Sequence, residues 1–339
     1  MFISCALFTL FYYIYALGSF LSSSNGPNSD TVHYAPVRGL RTGSAAGSNR
    51  LSHMSDILSY RYRFIVLVLS SVRNGKRRQA IRESWAMDVS GANGRLWFVV
   101  GYQPEDYMVD VNSAACDDIT DPEDRAHCQA ASKKTQHDVI LDEEAQQTSV
   151  RDIIRVNVED EYSNLVFKMI EAFGLANLRE APFILKLDDD VYLNVATFDR
   201  LISGTSWNSP NLQTNFIGYR MSGQPPIRNA SSKWYIPREL YAFDVLPDYL
   251  SGTGYLFSSS ILPSLLSCPE HVPIVPAEDI YITGLCRERS HLGIVHDDRF
   301  GHQAQPRVTC GISKRIIVHG VTPDEMIDFY TELHAGLQC

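Results

Sequence analysis

Phe183-Ile184-Leu185-Lys186-Leu187-Asp188-Asp189-Asp190 sets a short apolar run directly against three consecutive carboxylates. The run is too short for a typical helix and reads as a buried strand. In an extended chain alternate side chains face opposite ways, so Asp188 and Asp190 share one side and Asp189 takes the other. Adjacent carboxylates repel at neutral pH, so a cation, a basic partner or raised pKa values must compensate. Hard oxygen ligands of this kind suit Mg2+ or Mn2+, often shared with phosphate groups. The competing reading is a solvated acidic turn that caps the next helix.

Working outward, Phe64-Ile65-Val66-Leu67-Val68-Leu69 is another continuous apolar run, suited to a strand buried on both faces. A loop at Arg73-Asn74-Gly75 leads to an expected helix from Lys76 to Ala86, then to a strand at Leu96-Trp97-Phe98-Val99-Val100. A strand from Ile153 to Val156 precedes a long helix near Glu161 to Leu178, and Arg315-Ile316-Ile317-Val318 reads as a strand near the end. Strands alternating with helices imply an α/β sheet with a mostly parallel part, whose ligands bind beyond the carboxyl ends of the strands. The aspartates lie at such an end. Residues 104–149 are polar and acidic and too long for an ordinary loop, which marks an insertion with structure of its own. From about residue 205 the chain is rich in Trp, Tyr, Pro and Gly in short segments, as in a substrate-covering half.

With 339 residues, 45% of them hydrophobic, the chain can build a large globular core. A net charge of -9 argues against a nucleic-acid partner, which calls for a concentrated basic surface. The segment 1–21 has no charged side chain; as a helix it would span roughly 31 Å, enough for a bilayer core. It is expected to anchor the chain in a membrane, the alternatives being a signal peptide cleaved near Ala16-Leu17-Gly18 and a buried core helix. No Lys or Arg precedes it, while Arg38, Arg41 and Arg50 follow, an arrangement the positive-inside rule does not favour for a cytosolic N-terminus. Residues 22–60, rich in Ser, Gly, Asn and Arg, read as a stem, leaving 61–332 as the folded domain.

Of the seven cysteines, Cys5 lies in the apolar segment. Cys116, Cys128, Cys268, Cys286, Cys310 and Cys339 lack the close spacing of zinc ligands, so disulfides in a secretory compartment are the expectation. Cys116 with Cys128 is the expected local staple; the remaining pairings stay open. Asn229-Ala230-Ser231 is a glycosylation sequon.

Other segments carry two readings each. Glu278-Asp279 precedes the apolar Ile280-Tyr281-Ile282, so Asp279 either caps a helix or accepts a proton from a hydroxyl nucleophile. His319, between Val318 and Gly320, is either structural or a ligand. The glycines of Ser251-Gly252-Thr253-Gly254-Tyr255 allow close approach of a ligand or simply make a turn.

Together these segments resemble the β-1,3-glycosyltransferases of the galactosyl- and N-acetylglucosaminyltransferase type over roughly residues 62–325. The ordered blocks are Arg77-Arg78-Gln79-Ala80-Ile81-Arg82-Glu83-Ser84-Trp85, then Asp160-Glu161-Tyr162-Ser163-Asn164-Leu165 with Lys168, then Lys186-Leu187-Asp188-Asp189-Asp190. Lys233-Trp234-Tyr235 with Pro247-Asp248-Tyr249-Leu250-Ser251-Gly252-Thr253-Gly254-Tyr255 follows, and finally Glu278-Asp279-Ile280 with Gly284 and Cys286. The resemblance implies a GT-A type fold, a Rossmann-like mixed sheet flanked by helices, in one catalytic domain with an acceptor-binding half. It implies inverting transfer of galactose or an N-acetylhexosamine from a UDP-sugar to a glycan hydroxyl in β-1,3 linkage, with Mn2+ (Mg2+ as the alternative).

Carried over by position, Asp190 would coordinate the metal with His319, and Asp279 would be the general base. Arg78, Arg82, Lys186, Asp188, Asp189 and Gly254 would serve the nucleotide-sugar; for the two arginines the alternative is packing and ion pairing between helix and core. Trp234, Tyr249, Tyr255 and Glu278 would serve the acceptor, or be core residues in the case of the aromatics. A type II Golgi membrane protein with a lumenal catalytic domain and a glycan on Asn229 is the implied setting. A departure from the family pattern is the acidic insertion. A haloacid-dehalogenase-type phosphatase shares the Asp-x-Asp spacing of Asp188 and Asp190, but it calls for Thr or Val where Tyr192 stands. A secretory sugar-binding relative without turnover is the non-enzyme alternative, against which the retention of Asp188, Asp190 and Asp279 counts.

Overall fold

The computed structural model describes residues 60–102, 108–110, 116, 119–131, 133–135, 140–142, 144, 151–175, 178, 180–204, 213–304 and 309–336. The expected membrane segment and nearly all of the stem lie outside them. Among the described residues no helix is long and apolar enough to cross a membrane.

The fold grows from strand β1, Phe64–Leu69, every residue of which is buried. Phe64, Val66 and Val68 point into one apolar core; Ile65, Leu67 and Leu69 point into a second. This is why the run is continuously apolar: a central parallel strand needs water excluded on both faces. Beside it lie β2, Gly94–Tyr102, and β5, Ile153–Glu159, on one side, and β6, Phe183–Asp188, on the other. These four strands are parallel. Next to β6 comes β9, Tyr249–Ser258, antiparallel to it; then β8, Asn215–Met221, antiparallel to β9; then β10, Gly293–His296, parallel to β8. The expected mixed α/β sheet is therefore present, with seven strands and one reversed. Residues after 205 contribute three of those strands.

Helices cover both faces. The first core packs under α1, Gly75–Arg82, α2, Ala86–Gly91, and α5, Val195–Gly204, through Ile81, Val89, Phe198 and Ile202. The second packs under α4, Leu165–Phe173, through Val166, Met169 and Phe173. The helix expected over 76–86 is divided after Arg82. The Ser84 hydroxyl donates to the Ala80 carbonyl, a back-bond that bends helices, and Trp85 turns into the core. The helix expected from Glu161 to Leu178 is shorter: Tyr162–Asn164 form a 3-10 turn, and α4 stops before Gly174.

The insertion has the structure of its own that its length implied. Strands β3, Met108–Asp110, and β4, Lys133–Thr135, pair antiparallel, and α3, Pro122–Ala131, lies between them in the chain. The expected Cys116–Cys128 disulfide is formed, and a second joins Cys268 to Cys286. Cys5 and Cys339 lie outside the described residues.

Candidate active site

Strands β2 and β5 extend the sheet to one side of β1, and the chain then returns to place β6 on the other. Such a reversal leaves a crevice beyond the carboxyl ends of the two central strands. Leu69 at the end of β1 pairs with Asp188 at the end of β6, and Leu187 pairs with Gly254 of β9. The aspartate run thus emerges at this crevice with the first half of strand β9 beside it.

Past the turn the chain forms β7, Val191–Leu193, antiparallel to β12, Ile317–His319, which in turn pairs with β11, Phe300–Ala304. His319 stands opposite Val191, and the Val321 N–H donates to the Asp190 carbonyl at 2.9 Å. This small sheet is what brings two distant sequence positions together: His319 Nε2 lies 3.6 Å from Asp190 Oδ1. The other ring nitrogen, Nδ1, is buried without a hydrogen-bond partner among the described residues. Among them, too, no three His, Cys, Asp or Glu side chains form a ready-made metal cluster.

The three carboxylates have three different fates, and the alternation read from the sequence is the reason. Asp189 turns inward and accepts from Ser70 Oγ at 2.8 Å, Asn74 Nδ2 at 2.7 Å and Arg77 Nη1 at 2.8 Å. With its oxygens so engaged and its side chain buried, it ties β6 to the loop after β1; the nucleotide contact expected of it is corrected to an anchor. Asp188 accepts from Lys186 Nζ at 2.7 Å. Asp190 lies 3.6 Å from Arg77 as well as from His319. Burial pushes the Asp190 carboxyl up; His319 and Arg77 oppose this, while Asp188 and Asp189 add to it.

Arg78 and Arg82 do not reach the crevice. Arg78 is fully buried and donates to Glu144, the Ser70 hydroxyl and the carbonyls of Ser71 and Val72. Arg82 donates to Asp152 at 2.8 Å and to Glu144 at 2.5 Å, and its guanidinium lies over the Phe98 ring. Their role is the packing and ion pairing weighed as the alternative, and the reason is geometric: one helical turn apart, they share a face. Glu144 belongs to the insertion, which is thereby fastened to the core. The arginine that does face the aspartates is Arg77.

Across the crevice, Asp279 heads a helical stretch wound as a π-helix over Ile280–Cys286. The Ile280 N–H donates to its Oδ1 at 2.9 Å, the capping bond foreseen as one reading, and the Gly252 N–H donates to Oδ2 at 3.0 Å. Each oxygen keeps a further lone pair, so the cap does not exclude a proton-accepting role. Burial pushes the Asp279 carboxyl up; the two backbone bonds and Lys186 act against it without cancelling it. A Cβ on Gly252 would lie 3.2 Å from Asp279 Oδ2, so this position admits the carboxylate by being glycine. Gly254, in contrast, faces packing: an added Cβ would meet Leu187 and Ile317 at 2.7 and 2.8 Å.

Lys186 joins the two halves. Its buried ammonium donates to Asp188 and to the Gly252 carbonyl at 2.5 Å, and lies 3.4 Å from Glu278. Burial would lower its pKa, but Asp188 and Glu278 outweigh burial and push it up. Lys186 is thus a positioning cation beneath the site rather than a direct nucleotide contact. Glu278 and Tyr255 are buried with it, the Tyr255 hydroxyl donating to Glu278 at 2.5 Å. Neither presents a surface on which a sugar can lie, so their acceptor role is corrected to core support.

Trp234 and Tyr249 remain accessible. The Lys233 ammonium sits over both the Trp234 ring, 4.6 Å from its centroid, and the Tyr162 ring, at 5.1 Å. Burial and the Asp279 charge push the Tyr162 hydroxyl up, a hydrogen bond from Trp234 opposing. The same two causes push Tyr249 up to about 12. Tyr162 and Tyr249 are therefore neighbours of Asp279 that stay protonated. Asn229 is exposed, its carboxamide oxygen accepting from Ser231. The sequence reading passed over Arg77, Tyr162 and Lys233 as site residues, and it named Gly252 only as allowing close approach of a ligand. All four lay inside quoted blocks, but which face each presents was not readable without the packing.

Residues 129–298 match the galactosyltransferase family. Human β-1,3-galactosyltransferase 1 is 30% identical over 201 residues, covering 58% of this chain and 60% of that protein. Gorilla β-1,3-galactosyltransferase 5 is 26% identical over 274 residues, 78% and 80% of the two chains. The chain thus spans about three fifths of the length of the first of these relatives. Among solved structures, a glycosyltransferase involved in glycosylation of the major capsid of PBCV-1 overlaps 79% of this chain and 98% of its own, at 12% identity and a TM-score of 0.34. The galactosyltransferase LgtC overlaps 81% and 96%, at 9% identity and a TM-score of 0.35; overlaps this loose carry no argument about activity.

Proposed function

The chain belongs to the galactosyltransferase family, and from that premise we propose that it transfers galactose from UDP-galactose to a glycan hydroxyl in β-1,3 linkage with inversion. The observation that carries this reading is the pairing of two acidic centres across one crevice by a single buried lysine. Asp188 and Asp190 with His319 lie on one side and Asp279 on the other; Lys186 donates to Asp188 on the first and, on the second, to the carbonyl of Gly252, whose N–H holds Asp279, while standing 3.4 Å from Glu278.

The residues fit a divalent cation. Among the described residues, the carboxylates Asp188, Asp189, Asp190, Glu278 and Asp279 outnumber the lysine and arginine cations that answer them, Lys186, Arg77 and the more distant Lys168, so the fixed charge favours a further cation. Asp190 and His319 would hold it, and with two protein ligands the rest of its shell would come from phosphate oxygens and water, the usual arrangement for Mg2+ and Mn2+ sites. When bound, Mn2+ supplies Lewis-acid stabilisation of the charge that develops on the departing diphosphate. Arg77, held by Asp189, adds positive charge next to Asp190.

Asp279 takes the proton of the acceptor hydroxyl as that oxygen attacks the anomeric carbon from the face opposite the diphosphate. Its raised pKa keeps it basic enough for the task, while its two backbone N–H donors hold the carboxylate in place. Tyr249, close enough to feel the Asp279 charge, and Trp234, which shares Lys233 with Tyr162, offer ring surface for the acceptor sugar. The two disulfides suit an oxidising lumen. With the apolar segment 1–21 and the sequon at Asn229 they support a type II Golgi membrane enzyme acting in the lumen.

The test is UDP release from UDP-galactose, UDP-N-acetylglucosamine and UDP-N-acetylgalactosamine, with Mn2+, with Mg2+ and with chelator. Mn2+-dependent turnover highest with UDP-galactose is the expected result. Binding of UDP without turnover of any donor would instead favour a sugar-binding protein.

A further inference from the structure

Glu144 of the insertion is joined to the crevice by a continuous line of polar contacts. It accepts from Arg78 Nη2 at 2.5 Å and Nε at 2.9 Å. Arg78 is fully buried, and among the described residues Glu144 is the carboxylate within ion-pairing distance of it. The rest of the guanidinium holds the loop after β1, donating to the Ser70 hydroxyl at 3.1 Å and to the carbonyls of Ser71 and Val72. The Ser70 hydroxyl in turn donates to Asp189 Oδ2 at 2.8 Å, and Oδ1 of the same carboxylate accepts from Arg77 at 2.8 Å. Arg77 stands 3.6 Å from Asp190.

Resting on the cation site proposed above, we propose that Glu144 is a positioning residue for that site: through Arg78, Ser70 and Asp189 it keeps Arg77 off Asp190, which leaves the Asp190 carboxylate to the metal. Each step has a chemical reason. A hydroxyl carries one proton, and with an Arg78 N–H on its oxygen the Ser70 proton is turned to Asp189. So oriented, Asp189 takes the larger share of Arg77, at 2.8 Å against 3.6 Å for Asp190. Removing the Glu144 charge strands a buried guanidinium, a costly state that the loop must relieve by moving. Once Asp189 slackens, Arg77 closes the remaining gap to Asp190 and competes there with a divalent cation.

The end of the insertion is built to hold this carboxylate in place. Leu141 is buried in the first core, and Asp142 pairs with Arg155 of β5 at 2.6 Å. A Cβ added to Gly75 would lie 3.8 Å from Glu144 Oε2 and 3.7 Å from Arg78 Nη2. The ion pair therefore lies against the start of α1, the helix that carries both Arg77 and Arg78. A merely structural Glu144 would cost stability when lost and nothing else. Asp152 supplies the comparison: it is buried and pairs with Arg82 at 2.8 Å, off the line that leads to Asp189.

The experiment titrates Mn2+ calorimetrically, with UDP present, into the full chain in phosphatidylcholine nanodiscs. Glu144→Gln is expected to weaken Mn2+ binding about tenfold, the lower end of what outer partners of a metal site contribute. Asp152→Asn should leave it unchanged. In an Arg77→Gln background the competitor is gone, so adding Glu144→Gln should change Mn2+ affinity by less than about twofold. Should Glu144→Gln not fold, Glu144→Asp, its charge kept but drawn back by one methylene, carries the same comparison with a weakening of about threefold. Without metal, amide exchange over residues 70–77 and 188–190 should quicken in the Glu144 variant and not in Asp152→Asn. Wild-type affinity and exchange in the Glu144 variant, equal weakening by Asp152→Asn, or the same weakening with and without Arg77 would overturn the proposal. A wild type that binds no Mn2+ sinks the cation reading and this proposal with it, whereas Mn2+ binding indifferent to Glu144 sinks this proposal alone. Mn2+ binding that depends on Glu144, without turnover of any UDP-sugar, sinks the transfer reading and leaves this one standing.

Discussion

Replacing Lys186 with Met tests the architecture of the site most directly, because one ammonium serves both halves. The substitution keeps an unbranched chain of similar length and removes the charge. Glu278, buried, loses the cation 3.4 Å away; at an effective dielectric of 20 that attraction amounts to about 5 kcal/mol. Asp188 also loses its partner, but its side chain is 38% exposed and water replaces most of what the lysine gave. The net loss then falls in the range measured when one member of a buried pair is removed, about 3–5 kcal/mol of unfolding free energy. The Tyr255 hydroxyl and the Gly252 carbonyl stay where they are, so the loss is electrostatic rather than a cavity. Urea denaturation of Lys186→Met, Glu278→Gln and the double variant is the assay. The double variant should be more stable than the two single losses predict by at least ~1 kcal/mol, since a neutral glutamine no longer needs the cation. Strictly additive losses, or a Lys186→Met variant within ~1 kcal/mol of wild type, would sink the reasoning. A second readout follows from Asp279. Lys186 is one of the groups that lowers its pKa, so without the lysine the carboxyl protonates at higher pH, and the acid limb of transfer must move up.

Asp279→Asn should lower acceptor transfer by ~10²–10⁴-fold with UDP binding nearly intact; near-normal turnover would remove it as the base. In the wild type, the base works only deprotonated and its pKa is raised, so transfer should fall away with decreasing pH above the usual carboxylate range, as a pH–rate profile will show. Asp190→Ala should abolish Mn2+-dependent UDP binding by calorimetry, and unchanged metal dependence would take it out of the site. Burial raises the Glu144 carboxyl, but Arg78 and Arg82 outweigh burial and hold it below its ordinary value. A depressed folded pKa means that its stabilisation is present above the unfolded value of about 4.3 and is lost as pH falls through the folded one. Glu144→Gln should therefore lower neutral-pH stability by about 2–3 kcal/mol and flatten the acid limb of stability; an unchanged acid midpoint would count against this pairing.

What the sequence disclosed depended on whether a residue's surroundings are local. The apolar run of β1 announced a strand buried on both faces because the whole signal lies within the strand. Asp189 could be set apart from Asp188 and Asp190 because alternation is a property of the extended chain itself. Cys116 and Cys128 are close enough in sequence to suggest their own bond, whereas Cys268 and Cys286 needed the fold to choose among several partners. The arginines show where local reasoning stops. Arg77 and Arg78 are adjacent and chemically alike, yet one meets the aspartates and the other the insertion, since helical phase decides and nothing in the sequence fixes it. Tyr255 and Glu278 fail for a related reason: an aromatic ring and a carboxylate look like acceptor contacts until β9 and the Asp279 helix enclose them against Lys186.

Three like charges in a row would be a liability in any fold unless each had a separate answer, and that requirement explains the layout of the crevice. Asp189 is answered from within by Ser70, Asn74 and Arg77, which makes it the hinge between β1 and β6. Asp188 is answered from below by Lys186, which must also be balanced by Glu278. Asp190 alone is answered incompletely: Arg77 and His319 both stand 3.6 Å away, too far for good hydrogen bonds, and burial already pushes its carboxyl up. A carboxylate left short of a partner, facing an imidazole, at the mouth of a sheet's switch point, is the one group of the three whose charge a bound cation would complete. On the proposed reading, cation binding falls to Asp190 and the anchoring of the strand to Asp189, so exchanging Asp189 for Asn should loosen the fold at β1 while leaving Mn2+ affinity closer to wild type than Asp190→Asn does.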